Sequence, residues 1–319
     1  MATAVNVDNF VRAETDRMFA GLQSDAGAVN TWVHNRRPAA IDHQTVIRLN
    51  RDTLYSFAVV DISAGATLSL PDAGARYLSA MVVDQDHYIN RLFHEPGDHH
   101  LTAREFETPW VMIGVRILVD PGDARDTADV NALQDQLGLT AGAARPFVMP
   151  DYDPDSLDAT RSAILELAKG LGAAIAGSER PSFGRREDVD PIHHLIGTAA
   201  GWGGLPPDEA IYVGAFPGLP ADGEYALTVR DVPVDGFWSI SVYNEQGFFE
   251  PNERDAYSVN NITGSPNEDG SITVRFGGCV DDRPNCIPIP EGWNYLVRLY
   301  RPRPEVASGE WTFPELLPA

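Results

Sequence analysis

Along the first third of the chain, short apolar runs alternate with Gly, Pro and Asp: TVIRLNRDTLYSFAVVDIS, ATLSLP, RYLSAMVVDQDHYINRLF and PWVMIGVRILVD. Their Val, Ile, Leu and Tyr content and their turn-forming borders predict strands. Ahead of them, DNFVRAETDRMFAGLQ places Phe10, Val11, Met18, Phe19 and Leu22 at roughly helical spacing behind Asp8 or Asn9 as a cap, which predicts an opening helix.

The period then changes. In DPGDARDTADVNALQDQLGL, aspartates precede Val130, Leu133 and Leu137, spaced as on one helix face. DSLDATRSAILELAKGLGAAIAG carries Leu157, Ile164, Leu165, Ala168 and Leu171 and ends at glycines, while DPIHHLIGTAAGWGG opens with Pro191 at a helix-start position. Beyond about Ile211 the strand pattern returns in YALTVRD, FWSISVYN, SITVRF and NYLVRLY, joined by turns such as EQG and NEDGS. The expected organisation is a β-rich domain with an opening helix over 1–145, a helical insert over 146–205, and a second β-sandwich or barrel-like unit over 206–319.

At 319 residues the chain can bury real cores without staples. A formal net charge of -22, from 46 acidic against 24 basic residues, repels phosphate backbones and anionic bilayers, so neither nucleic acid nor a membrane is expected as a partner. Lys169 is the only lysine, which disfavours Schiff-base chemistry. The start MATAVNVDNF lacks the basic and apolar regions of a signal peptide, and the expected setting is cytoplasmic. Cys279 and Cys286, close together in GGCVDDRPNCIPIP, are expected there as free thiols, and two cysteines are too few for a structural zinc site.

Several segments together resemble a known bacterial family: NFVRAETDRMF, HQTVIRLNRDTLYS, DQDHYINRLFHEPGDHHLT, VDPIHHLIGTAAGWGG, VPVDGFWSISVYN, FGGC with NCIPI, and GWNYLVRLYRPR. The family pairs a domain of unknown function 1254 in the first half with one of type 1214 in the second, and some members are labelled carboxylesterases. The resemblance implies a mainly β fold with α, built as two β-sandwich or jelly-roll-like units joined by a helical segment. It brings no catalytic residues to transfer.

Four groups of side chains can carry chemistry. In RLNRDTLYS, a regular strand would project Arg51, Thr53 and Tyr55 to one face and Asn50, Asp52 and Leu54 to the other. Arg51 then reads as an anchor for a carboxylate or carbonyl oxygen and Tyr55 as a proton donor, with Asp52 as an internal brace. In VVDQDHY, Asp84 and Asp86 share a face and His87 takes the other, giving either a turn cap or an acid/base pair. In GDHHLTARE, Asp98 and His100, with His94, His99 and Glu105 nearby, loosely resemble half of a two-histidine, one-carboxylate metal site, although the spacing does not fit. The histidines His193 and His194 sit in a helix that ends in glycines around Trp202, where at most one can face any given pocket.

In the second unit, Trp238 and Tyr243 lie on opposite faces of FWSISVYN, and Arg254, Tyr257, Asn260, Trp293, Arg298 and Tyr300 are further groove candidates. No GxSxG, HExxH, Walker or strand-turn-helix GxGxxG motif is present, which argues against ordinary serine hydrolases, zincins and nucleotide-dependent enzymes.

The expectation is an enzyme without cofactor or metal, acting on a small polar or carbonyl-bearing metabolite by acid/base hydrolysis or elimination. Arg51, Tyr55, Asp84, Asp86 and His87 would carry catalysis, and His100, Trp202, Trp238, Tyr243 and Arg254 would bind substrate. A homo-oligomer is expected. A non-catalytic ligand-binding or assembly module and a metal-dependent enzyme with a His/Asp site are the alternatives.

Overall fold

The computed structural model describes residues 2–44, 47–169, 181–280 and 282–319. The fold is mainly β with α and divides into two compact units: Met1–Arg36, Leu54–Val119 and Ala124–Pro207 in the first, and Arg37–Thr53, Asp120–Asp123 and Asp208–Ala319 in the second.

Unit 1 runs α1 (Phe10–Ala26), β1 (Val33–His34), β2 (Thr53–Asp61), β3 (Ala66–Leu70), β4 (Leu78–Asp84), β5 (Ile89–Phe93), β6 (Gly97–Leu101), α2 (Ala103–Phe106), β7 (Trp110–Leu118), α3 (Ala124–Gln134), β8 (Gly138–Ala141), α4 (Pro154–Lys169) and α5 (Pro191–Gly201). Its strands form a five-stranded sheet, ordered β1-β2-β7-β4-β5, and a three-stranded sheet, ordered β6-β3-β8. Alternating residues of both sheets, among them Leu54, Val60, Leu68, Val82, Leu101 and Ile113, close one apolar core, with Phe106 and Val130 added from α2 and α3.

The helical stretch is part of this unit. Helices α1, α4 and α5 share a separate core of Phe10, Ala13, Leu157, Ile164, Ile196 and Ala199. Asp190 caps α5 by accepting from the backbone N–H groups of Ile192 and His193, and Pro191 fills the first helical position, where its missing N–H costs nothing. The buried face of α1 departs from the apolar stripe read in the sequence: besides Phe10, Ala13 and Phe19 it holds Glu14, Thr15 and Asp16, while Val11, Met18 and Leu22 are only partly buried. Those polar residues are kept inside by partners, Arg17 on Glu14 at 2.6 Å and Gln85 and Tyr152 on Asp16. Leu171 and the glycines expected to end α4 lie outside the described residues.

Unit 2 is a β-sandwich of β9 (Ala210–Ala215), β10 (Tyr225–Val229), β11 (Trp238–Tyr243), β12 (Ser258–Asn260), β13 (Ile272–Phe276), β14 (Cys286–Ile287), β15 (Asn294–Tyr300) and β16 (Leu317–Pro318), with a short helix α6 (Pro304–Ala307). Sheets β14-β13-β10-β16 and β12-β11-β15-β9 enclose Leu227, Val274, Phe276, Trp238, Ile240, Val242 and Val297.

The other face of β11 is polar and still buried. Ser239 pairs with Asn260 on one side and Arg298 on the other. Arg298 donates to Ser241 Oγ at 2.9 Å, the Tyr243 hydroxyl at 2.7 Å and Arg48 O at 2.9 Å, and Asn260 Nδ2 donates to the buried Asp52 Oδ1 at 3.0 Å. Asp52 is thus a brace inside unit 2. Burial opposes the charge on Arg298, but Tyr243, Tyr300 and Asp52 hold its pKa above the ordinary value.

Cys279 and Cys286 form a disulfide, which corrects the expectation of free thiols. The loop places their Cα atoms 5.6 Å apart, within bridging reach. Among the described residues no helix is long and apolar enough to cross a membrane.

Candidate active site at the β4–β5 turn

The five residues Asp84 to Tyr88 join β4 to β5, just after a register irregularity between Val82 and Val83 that re-aims the strand end. The Asp84 carboxylate ties the turn: its Oδ1 accepts from the N–H of Asp86 at 2.8 Å and of Tyr88 at 2.9 Å. Helices then hold each neighbour. Gln85 Nε2 donates to Asp16 Oδ1 at 3.0 Å, and Asp86 pairs with Arg12 at 2.7 Å and more loosely with Arg186 at 3.5 Å. Through these bonds α1 fixes two turn residues that carry no apolar anchor.

His87 sits in the left-handed region, at φ 63°. Its ring is fully buried and stacked on Trp202 with centroids 5.1 Å apart. Nε2 accepts from Gly203 N–H at 2.9 Å, so Nδ1 carries the proton and faces Thr198 Oγ1 at 2.7 Å. Burial, reinforced by His194, pushes the imidazole well below its ordinary pKa. With both nitrogens occupied and no exposed surface, His87 cannot exchange protons with a ligand. This corrects the role read for it: it is the neutral pin that fastens the turn to α5 and Gly203.

His194 is buried beside it, with Nδ1 3.0 Å from Ser182 O and Nε2 3.0 Å from Asp86 O. Tyr88 stacks on this ring at 4.7 Å and also lies under the Arg186 guanidinium at 4.8 Å.

Glycines bring the 182–187 segment in. A Cβ at Gly197 would stand 2.8 Å from Ser182 Cβ, and one at Gly204 would stand 2.6 Å from Phe183 Cζ. The Gly-rich end of α5 therefore seats Phe183, and the chain that follows delivers Arg185 and Arg186.

These elements surround a cavity of about 400 Å³ lined by Asp84, Tyr88, Asn90, Arg91, Glu105, Glu107, Arg185, Arg186 and Glu187. Asp84 is the deepest titratable group there, with 3% of its surface exposed. Burial pushes its carboxyl up to about 7, against backbone bonds from Tyr88 and Asp86 that pull it down. Burial likewise raises the Tyr88 hydroxyl, with Arg186 opposing, so it keeps its proton at neutral pH. Arg91 pairs with Glu105. The site thus offers a carboxyl poised for proton transfer, a phenol donor and guanidinium groups for an anionic or polarised oxygen.

Of the residues expected to carry catalysis or bind substrate, Asp84 alone lines this cavity, and Asp86, two residues further on, pairs with Arg186; Glu105 of the GDHHLTARE group lines it as well. Arg51 belongs to unit 2, where it donates to Ala39 O and lies over the Tyr257 ring at 5.3 Å. Tyr55 belongs to unit 1, with Arg116 5.5 Å over its ring. Trp202 caps α5 and donates to Thr15 Oγ1 at 3.1 Å.

Trp238 is in the apolar interior of the sandwich and Tyr243 is fully buried, donating to Leu49 O at 2.8 Å, so neither has a surface to offer a ligand. Their sheet is covered on both faces, which corrects their reading as substrate contacts. Arg254 belongs to unit 2, donates to Cys279 O at 3.3 Å and is not among the residues that line the cavity.

The histidines of GDHHLTARE do not converge. His100 faces Thr67, His99 faces Glu95 O, His94 faces Leu78 O, and Asp98 accepts from Ser69. Among the described residues no group of three or more His, Cys, Asp or Glu side chains is placed to hold a metal ion. Sequence reasoning missed Tyr88, Asn90, Arg91, Arg185 and Arg186. The Gly-Arg-Arg of SFGRRED, ahead of a Pro-started helix, was the available signal for the last two.

Comparisons place this geometry in a family. Residues 29–141 match the family described as protein of unknown function DUF1254, and residues 217–304 match the one described as DUF1214. No curated protein matches the chain. Among solved structures it is similar to the VPA0106 protein from Vibrio parahaemolyticus, with 18% identity, a TM-score of 0.70 and coverage of 99% of this chain and 100% of that one. It is also similar to an uncharacterised protein from Burkholderia cenocepacia, with 14% identity, a TM-score of 0.54 and coverage of 97% and 87%. At these identities the likeness is one of fold. The first match falls mainly in unit 1 and spans the β4–β5 turn, with its residues 37–53 and 120–123 in unit 2, and the second lies within unit 2. The chain belongs to the family that pairs an N-terminal DUF1254 domain with a C-terminal DUF1214 domain.

Proposed function

We propose that the chain is an enzyme that transfers a proton to or from a small, carbonyl-bearing metabolite bound in the unit 1 cavity, in a hydrolysis or elimination. The observation that carries this reading is the Asp84 carboxyl, buried in the cavity wall and raised to about 7, where it donates and accepts with similar ease. Arg185 and Arg186 would hold the anionic or polarised oxygen and Tyr88 would donate to it, while Asp86 and His87 position the turn instead of reacting. The bridge between Cys279 and Cys286 favours an oxidising setting for the protein over the cytoplasm.

Asp84→Asn tests the reading, because the amide oxygen preserves both turn bonds and only the titration is lost. Wild type and variant are incubated with a set of carbonyl metabolites, and product is followed by NMR. The expected result is turnover by wild type that falls by about 10²–10⁴ in the variant with binding little changed. Turnover at an equal rate by both proteins refutes the assignment, and binding without turnover by either favours a ligand-binding module.

A further inference from the structure

Resting on the reading of the unit 1 cavity as the active site, we infer that its ligand is a zwitterion, a small polar molecule bearing both an ammonium and a carboxylate group, as an α-amino acid does. The inference starts from which charges the protein already neutralises. Arg91 is matched by Glu105, and Arg186 shares the Asp86 carboxylate with Arg12, so these cations already have partners in the protein. Arg185, Glu107 and Glu187 line the same cavity, are exposed, and have no ion pair among the described residues. Unanswered charges of both signs around one cavity complement a ligand carrying both signs, and a purely anionic ligand would meet the carboxylates of Glu107 and Glu187 besides Asp84 and the Arg91-paired Glu105.

Two further features point the same way. Asp84 is almost wholly buried, and its turn bonds engage Oδ1 alone, which leaves Oδ2 as the polar atom for a ligand at the cavity wall. The Tyr88 ring stacks on His194 and has the Arg186 guanidinium over it. These protein groups compete with a sugar or a nucleobase for its stacking surface. Recognition must then come from charge and hydrogen bonding, and a cavity of about 400 Å³ suits a ligand of amino-acid size.

The test compares glutamine with N-acetylglutamine, which lacks the cation, and with glutaminamide, which lacks the anion. Each is titrated into the full chain, with binding read by calorimetry and by shifts of the backbone amides of residues 84–91 and 185–187. Glutamine should bind at least about tenfold more tightly than either blocked form, the value of one lost charge-assisted contact. In Arg185→Ala its affinity should drop toward that of glutaminamide while the amide is unaffected, and in Glu187→Gln it should drop toward that of N-acetylglutamine.

Equal or tighter binding of a blocked form at the same amides overturns the zwitterion inference and leaves the cavity standing as the site. If none of the three shifts those amides, the inference is overturned as well. The reading of Asp84 as the proton-transfer group is then judged separately, by its own titration.

Discussion

A carboxyl that folding moves from the ordinary value of 3.8 to about 7 makes the stability of unit 1 depend on pH in a way one substitution removes. Below pH 4 the group is protonated in both states and contributes no pH dependence. Between about 4 and 7 the unfolded chain has released the proton and the folded chain retains it. The native state therefore binds more protons, and its stability falls as pH rises, by up to about 1.4 kcal/mol per pH unit. Above 7 both states are ionised and the slope vanishes. Across the window from 3.8 to about 7 the loss is on the order of 4 kcal/mol. Asp84→Asn keeps an acceptor for the N–H groups of Asp86 and Tyr88 but cannot ionise.

The assay is urea unfolding of wild type and variant at pH 4.5, 5.5, 6.5 and 7.5, followed by tryptophan fluorescence and circular dichroism, with stability compared between the proteins at each pH. Groups other than Asp84 cancel in the difference. The variant should gain on wild type steadily up to about pH 7 and then run parallel to it. Parallel curves from pH 4.5 onward would refute the claim that burial raises this carboxyl.

Three further perturbations test the framework around the site. Arg298→Met, which leaves the buried Asp52 without its nearby cation, should destabilise unit 2 by about 3–5 kcal/mol; a loss below 1 kcal/mol in denaturant unfolding would mean that the polar face of β11 is not braced by this pair. Gly204→Ala places a methyl group against the Phe183 ring and should cost about 1–3 kcal/mol while shifting the amides of Arg185 and Arg186. An unchanged amide spectrum would show that Phe183 does not govern that segment. Replacing Cys279 and Cys286 by Ser opens a ring with a sequence separation of 7 and should cost about 2–3 kcal/mol of unit 2 stability under non-reducing conditions, whereas equal melting of the two proteins would show that the staple adds nothing.

Strands and helices were legible wherever periodicity and turn residues agreed. The alternation in FWSISVYN separated Trp238, Ile240 and Val242, which face the sandwich core, from Ser239, Ser241 and Tyr243, which face Arg298 and Asn260. What alternation could not reveal was that the second face is also covered. In RLNRDTLYS the two-residue period was extended one turn too far back: β2 begins at Thr53, so Arg51 and Tyr55 need not share a face, and they fall in different compact units.

Asp84 was read as turn cap or acid; Oδ1 ties the turn, and the surroundings raise the carboxyl on which the proposed role rests. His87 misled for a physical reason. A positive φ turns it inward, and the partners that occupy its nitrogens, Thr198 and Gly203, lie more than a hundred residues away in sequence. Arg185 and Arg186 stand in a segment without periodicity, which packs where Ser182 and Phe183 approach Gly197 and Gly204 too closely for a Cβ.

The most direct test of the central claim is the titration of the Asp84 side chain itself, followed by its ¹³Cγ shift in the full chain, with Asp84→Asn identifying the resonance. A midpoint near 7 is expected, moving when a ligand fills the cavity. A midpoint near 4, unmoved by any ligand that shifts the amides of residues 185–187, would contradict the assignment of Asp84 as the proton-transfer group.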